Sequence, residues 1–218
     1  MSTTYEVYYF SSQGRAETIR LLLALAGQPF TERHVVREQW AEEKPHTPLG
    51  QVPVLVERDE RSERHIPQSQ AILRHLARKF DLYGQTEDER VQADVVADTV
   101  LDITPSFSPL LMGPLRGNAE AIARYVAEQW PHNAAKLDKL LKRRPAGDGP
   151  FFVCGTPTFA DIAVYQSLHA HFALVPTILD GHVALRRFYD AMEALPALQE
   201  RLRTRPPHDG FSLRAAKT

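Results

Sequence analysis

The chain has 218 residues, with 26 Lys and Arg against 27 Asp and Glu, a net charge of -1 and a single cysteine. That balance argues against a nucleic-acid or anionic-membrane surface as the main partner, and one cysteine leaves no internal disulfide, which suits a reducing compartment such as the cytoplasm. No basic patch followed by an apolar run opens the chain, no segment approaches the roughly 20 apolar residues of a membrane span, and the length suffices for one large domain or two small ones.

Tyr5 to Phe10 reads as a strand and Arg15 to Ala26 as a helix, with Ile19, Leu22, Leu23 and Ala26 at helical spacing and Gly27 at its end. Between them Ser11-Ser12-Gln13-Gly14 forms a polar turn. Tyr5, Val7 and Tyr9 fall on one strand face and Glu6, Tyr8 and Phe10 on the other, so only one of the adjacent phenols Tyr8 and Tyr9 faces a site at the turn. A phenol there can donate to an anion held near the helix start, although sheet packing accounts for an aromatic strand as well. Phe30 to Arg37 reads as a second strand and Glu38 to Lys44 as a short, poorly apolar helix ahead of Pro45 and Pro48. Val52 to Val56 and Arg64 to Ile66, joined by the polar turn Asp59-Glu60-Arg61-Ser62, form an antiparallel hairpin, and a helix follows from Ser69 to about Phe80. The order is βαβαββα.

The texture changes at residues 81–85, which read as a linker between a domain at 1–80 and an all-helical domain at 86–218. Thr86 with Glu89 has the form of a capping box, opening a helix through Val95, Val96, Val100 and Leu101. A second helix spans Ala119 to Leu141, bounded by Gly113-Pro114 and by the Pro and Gly cluster of 145–150. Thr158 with Asp161 is another box of this kind, opening an apolar helix through Ile162, Val164 and Leu168. Arg186 to Ala194 and Ala197 to Arg203 are the last helical pieces.

A strand ending in Tyr9, a Val52-Pro53 step into a strand, Gln68-Ser69 opening a helix, and a helical second domain together resemble the cytosolic glutathione transferases over essentially the whole chain. Tyr9-Phe10 followed by Gly14-Arg15-Ala16-Glu17 is similar to the tyrosine-type classes, and among them to the sigma class. The resemblance implies an α/β N-terminal thioredoxin-like domain that binds glutathione, followed by an all-α C-terminal domain that supplies most of the second-substrate pocket and dimer contacts.

Residue by residue, the resemblance implies a catalytic role for Tyr9 at the glutathione sulfur, with Arg15 orienting the phenol or stabilising the thiolate; an interhelix salt bridge is the plain alternative for Arg15. It places Val52 before a cis proline at Pro53, with the Val52 backbone pairing to the cysteinyl amide as an added strand would. Gln68 and Ser69 receive the γ-glutamyl carboxylate at a helix start, where free N–H groups and the dipole favour an anion. Trp40 and Lys44 approach the glycyl end. Gln51 lies beside them, where several relatives carry a lysine. Phe10 lies between the glutathione site and the electrophile pocket, which also takes Phe107, Leu110, Met112 and Phe211, although core packing accounts for such residues without a ligand. Asp102 reaches the partner's glutathione in a homodimer.

A free thiol has a pKa near ~8.5. Lowering it by ~2 units requires about 2.7 kcal/mol of preference for the anion, and a hydrogen bond to a charged group supplies about 1.5 to 3 kcal/mol. One phenol O–H, helped by Arg15 or a nearby N–H, is therefore of the right magnitude, and no general base is required. Ser11 and Ser12 are minor alternatives for the hydroxyl, as in serine-type relatives. Cys154, in the apolar setting of Phe151 to Val153, reads as a buried small hydrophobe. His65, His169 and His171 lack metal-ligand spacing, so no metal is expected. Pro109 and Leu101 depart from the prostaglandin-isomerising sigma relatives. The function implied is attack of glutathione thiolate on a small hydrophobic electrophile in the cytoplasm, in a detoxification role; the alternatives are a noncatalytic ligand-binding or structural protein, or an isomerase or peroxidase using the same thiolate.

Overall fold

The computed structural model describes residues 3–144 and 149–206. They form two compact units, one of residues 3–80 with 196–206 and one of residues 81–195.

The first unit runs β1 (Thr4–Tyr9), α1 (Glu17–Leu25), β2 (Thr31–His34), α2 (Trp40–Glu43), β3 (Val54–Arg58), β4 (Glu63–Pro67) and α3 (Ser69–Lys79). The four-stranded sheet has the order β2-β1-β3-β4, with β2 parallel to β1 and the other pairs antiparallel. This is the βαβαββα order read from the sequence pattern, in the thioredoxin-like arrangement that the family resemblance implies. Alternation along β1 decides its packing. Tyr8 joins Val35, Val54 and Val56 in a core layer completed by Phe10, Trp40 and Val52, and Val7 and Leu55, on the opposite face, are fully buried. The two helices α1 and α3 pack on each other through Ile19, Leu22, Ile72 and Leu76.

The second unit is all helix: α4 (Glu87–Met112), α5 (Ala119–Arg124), a π turn (Tyr125–Gln129), α6 (Trp130–Arg143), α7 (Phe159–Leu174) and α8 (Val183–Glu193). It is apolar around nearly all of α7, as a helix enclosed by its neighbours must be. Both capping boxes form. Thr86 accepts from the Glu89 N–H while the Glu89 carboxylate takes the Thr86 N–H. Asp161 accepts the N–H groups of Phe152 and Thr158 and the Thr158 hydroxyl at 2.7, 2.8 and 2.8 Å. Burial pushes the Asp161 carboxyl up to about 6, against these hydrogen bonds that favour its anion.

Local signals fall short in three places. The first long helix continues past Leu101, through Pro105 and Pro109, to Met112. An interior proline costs about 3 kcal/mol, and burial of Ile103, Phe107 and Leu110 on this stretch offsets it. By length and mean hydropathy α4 could cross a membrane; one side of it, with Val96, Val100, Ile103, Phe107 and Leu110, is buried, and the helix packs on α6 and α7. The stretch read as one helix from Ala119 to Leu141 is interrupted by the π turn ahead of Pro131, which has no N–H to give.

The third concerns the chain's last helical pieces, a 3-10 turn at Pro196–Leu198 and α9 (Gln199–Thr204). They group by contact with the first unit and pack on α1, although in sequence they follow the helical domain read from residue 86 on. Helical periodicity records that a face is apolar, not which unit receives it.

Candidate active site

The strand-to-helix turn after β1 is held closely around one of the two phenols. Tyr9 accepts the Arg15 backbone N–H on its hydroxyl oxygen at 3.2 Å. Gly14 adopts a positive φ of +43, and a Cβ placed there would lie 2.5 Å from that same oxygen, so the turn backbone leaves no room for a side chain. Among the described residues no acceptor takes the Tyr9 hydroxyl's own proton. Tyr9 is therefore a phenol whose oxygen is polarised by an N–H and whose O–H remains available to donate. Its ring stands edge-on to Phe10 at 5.6 Å.

Tyr8 is engaged elsewhere. Its hydroxyl donates to Glu43, and the Arg33 guanidinium lies over its ring at 3.7 Å. The bond to Glu43 ties α2 to the sheet, and α2 carries Trp40, whose ring meets Phe10 edge-on at 5.8 Å. Sequence reasoning did not find this role, because Tyr8 and Glu43 are 35 residues apart and neither belongs to a motif.

Arg15 contributes its backbone N–H to Tyr9, while its side chain is exposed. Lys44 and Gln51 are exposed and Trp40 is half-buried; the Lys44 stem passes beside Gly50, where a Cβ would touch it at 3.4 Å. The Val52-Pro53 peptide is cis, immediately before β3. Gln68 has φ 72 and ψ 106, a conformation that non-glycine residues avoid, and it offers α3 no side-chain cap. Ser69 is the first residue of that helix and the Ile72 N–H is the first to be bonded back, to the Gln68 carbonyl. The helix start is thus open to an anion. Ser11 is exposed and Ser12 buried, its Oγ without a hydrogen-bond partner among the described residues.

In the helical unit Asp102 is exposed on α4. Phe107 and Leu110, read from sequence as pocket residues, are buried in the unit: Phe107 stacks on His171 at 3.7 Å and Leu110 is 2 % exposed. Met112 is exposed, and Phe211 lies outside the described residues. Cys154 is half-buried, its Sγ 3.3 Å from the Thr156 carbonyl. The histidines are occupied by other partners: His65 pairs with Glu63, His169 with Tyr189, and His171 with the Tyr125 hydroxyl and the Ser167 carbonyl.

Residues 4–78 match the family profile of the glutathione S-transferase N-terminal domain, and residues 102–205 that of the C-terminal domain. The chain belongs to the glutathione S-transferase family. It is 33% identical to glutathione S-transferase P of Caenorhabditis elegans over 95% of this chain and 98% of that one. Among solved structures it is similar to the Onchocerca volvulus pi-class glutathione S-transferase, with TM-score 0.83 and 32% identity over 93% of both chains. A Fasciola hepatica sigma class glutathione S-transferase matches with TM-score 0.84 and 26% identity, over 93% of this chain and 97% of that one. The family, its enzymatic character and glutathione as its substrate stand on these matches; relatives of pi and sigma name resemble the chain about equally, so the sigma likeness is not singled out.

Proposed function

We propose that this glutathione S-transferase transfers the glutathione sulfur to a small apolar electrophile, with Tyr9 donating its O–H to the sulfur and holding it as thiolate. The observation that supports this is the asymmetry between the two phenols: the Tyr8 hydroxyl is spent on Glu43, whereas the Tyr9 oxygen accepts the Arg15 N–H and keeps its proton to give. Accepting one hydrogen bond strengthens the next one donated. Phe10, half-buried beside Tyr9, offers an apolar wall to the electrophile. The cis Val52-Pro53 step supports backbone pairing with the cysteinyl segment, and the uncapped start of α3 at Gln68 and Ser69 supports a carboxylate site there. In this reading Trp40, Lys44 and Gln51 attend the glycyl end and Arg15 adds positive charge near the sulfur.

The reading extends to a cytoplasmic homodimer. Val91 and Val95, one turn apart, and Leu101 are exposed on α4, the helix that presents Asp102, and leave it apolar surface to offer a partner. Asp102 would meet the γ-glutamyl ammonium of the partner's glutathione.

The test is ultraviolet titration of the thiolate in the glutathione complex. Tyr9→Phe should raise the thiol midpoint by about 1 to 2 units, lowering conjugation of an aryl halide at pH 6.5 by tenfold or more, with glutathione affinity nearly unchanged. An unchanged midpoint in Tyr9→Phe together with a raised one in Tyr8→Phe would move the role to the other ring.

A further inference from the structure

The turn that surrounds Tyr9 is gripped from the far end of the chain. Gln13, buried within it, donates from Nε2 to the Pro206 carbonyl at 2.8 Å. Beneath the turn lies a network of two arginines and two glutamates, with Glu17 and Arg20 buried and Glu32 and Arg201 half-buried at its edge. Arg20, fully buried, donates from Nη1 to the Ser12 carbonyl at 2.8 Å, with Glu17 Oε2 at 3.3 Å from the same nitrogen, and its Nη2 lies 2.9 Å from Glu32 Oε2. Arg201 of α9 donates to Glu17 through Nε at 2.9 Å and Nη2 at 2.6 Å, and to Glu32 through Nη1 at 3.2 Å. Glu17 itself, fully buried, begins α1 and returns its N–H to the Gln13 carbonyl at 3.1 Å.

The distances show a division of labour. Arg201 satisfies both Glu17 oxygens with a bidentate fork, the geometry in which a guanidinium binds a carboxylate best. Arg20 makes its shorter bond to the Ser12 carbonyl and a longer one, from the same nitrogen, to Glu17. The Ser12 carbonyl, the Gln13 side chain and the Glu17 N–H fix the backbone on both sides of Gly14, and the next residue is Arg15, whose N–H meets the Tyr9 hydroxyl. The Arg20 guanidinium also sits 5.9 Å from the Tyr9 ring centroid.

We infer that the segment from Arg201 to Pro206 is a clasp whose purpose is catalytic alignment: Arg201, acting through Glu17 and Arg20, and the Pro206 carbonyl, acting through Gln13, are positioning groups that hold the Arg15 N–H against the Tyr9 oxygen. The inference rests on the Tyr9 reading above. A structural role alone would make the clasp matter for stability but not for the state of the sulfur.

The experiment separates these. Removing Arg201 outright leaves a buried carboxylate without its partner, so the variants are Arg201→Lys, which keeps the charge but cannot form the fork, and Gln13→Leu, which leaves the ion network whole. Both are saturated with glutathione and titrated by ultraviolet difference absorbance, alongside Tyr9→Phe and a measurement of glutathione Kd. The clasp predicts a higher thiol midpoint in both, with about three- to tenfold less thiolate at pH 6.5 and a Kd within about twofold, because the groups that would bind glutathione are untouched. Midpoints equal to the parent's in both variants, with Tyr9→Phe shifted, would overturn the clasp and leave the Tyr9 reading standing. If Tyr9→Phe is also unshifted, the Tyr9 reading fails, and the clasp with it.

Discussion

Two helix starts in this molecule are built on opposite plans. At α7 the chain completes its own cap: Asp161 accepts from Phe152 and Thr158, every one of these groups is buried, and nothing is left for a ligand to do. At α3 the chain leaves the cap undone, placing Gln68 at φ 72 with no side-chain bond to the helix. The closed start leaves no free donors, whereas the open and strained one keeps the N–H groups that the proposed carboxylate site would use. One start carries stability; the other, on the proposed reading, gives some of it up for recognition.

The comparison is broken or sharpened first at α7. Asp161→Ala strands two N–H groups and a hydroxyl in the interior, and its loss in unfolding free energy is expected to be about 4 kcal/mol, read by urea denaturation of the apoprotein. A loss below about 1 kcal/mol would remove the contrast. Next comes pH. Folding raises the Asp161 carboxyl from 3.8 to about 6, so the folded state binds the proton more tightly. Its contribution is complete below the unfolded value and disappears as pH rises through about 6. From pH 4 to pH 7 the parent should therefore lose about 2 to 3 kcal/mol relative to Asp161→Asn, seen as a difference in the pH slopes of their unfolding midpoints. Parallel slopes would show that this carboxyl does not carry the effect.

The smallest effect is the most telling for α3. Gln68→Gly relieves the positive φ, and net of glycine's larger unfolded-chain entropy the apoprotein should gain about 1 kcal/mol while binding glutathione more weakly. Calorimetry of the variant with and without glutathione measures both; a variant neither more stable nor weaker in binding would mean that Gln68 is strained to no purpose.

What could be read from sequence was what neighbouring residues decide. The β1-turn-α1 unit, the β3-β4 hairpin and both capping boxes depend on residues within a few positions of one another, and each formed where the pattern put it. The continuation of α4 through Pro105 and Pro109 was illegible because burial of Phe107 and Leu110, not local preference, sustains it. The Arg201–Glu17 pair joins residues 184 apart, and no periodicity reports a contact of that kind. At the candidate site the motif residues were legible through family likeness, whereas the tether from Tyr8 to Glu43 and the grip on Gln13 emerge only from the folded coordinates.

The alternation that separates Tyr8 from Tyr9 has an unforgiving corollary. β1 lies in the middle of the sheet, laddered to β2 on one side and β3 on the other, so sliding it by one residue would break both ladders and exchange the two phenols between faces. A misregistered chain would no longer set the Tyr9 hydroxyl against the Arg15 N–H or the Tyr8 hydroxyl against Glu43. On the proposed reading, which hydroxyl can reach the sulfur is therefore decided as the sheet takes its register.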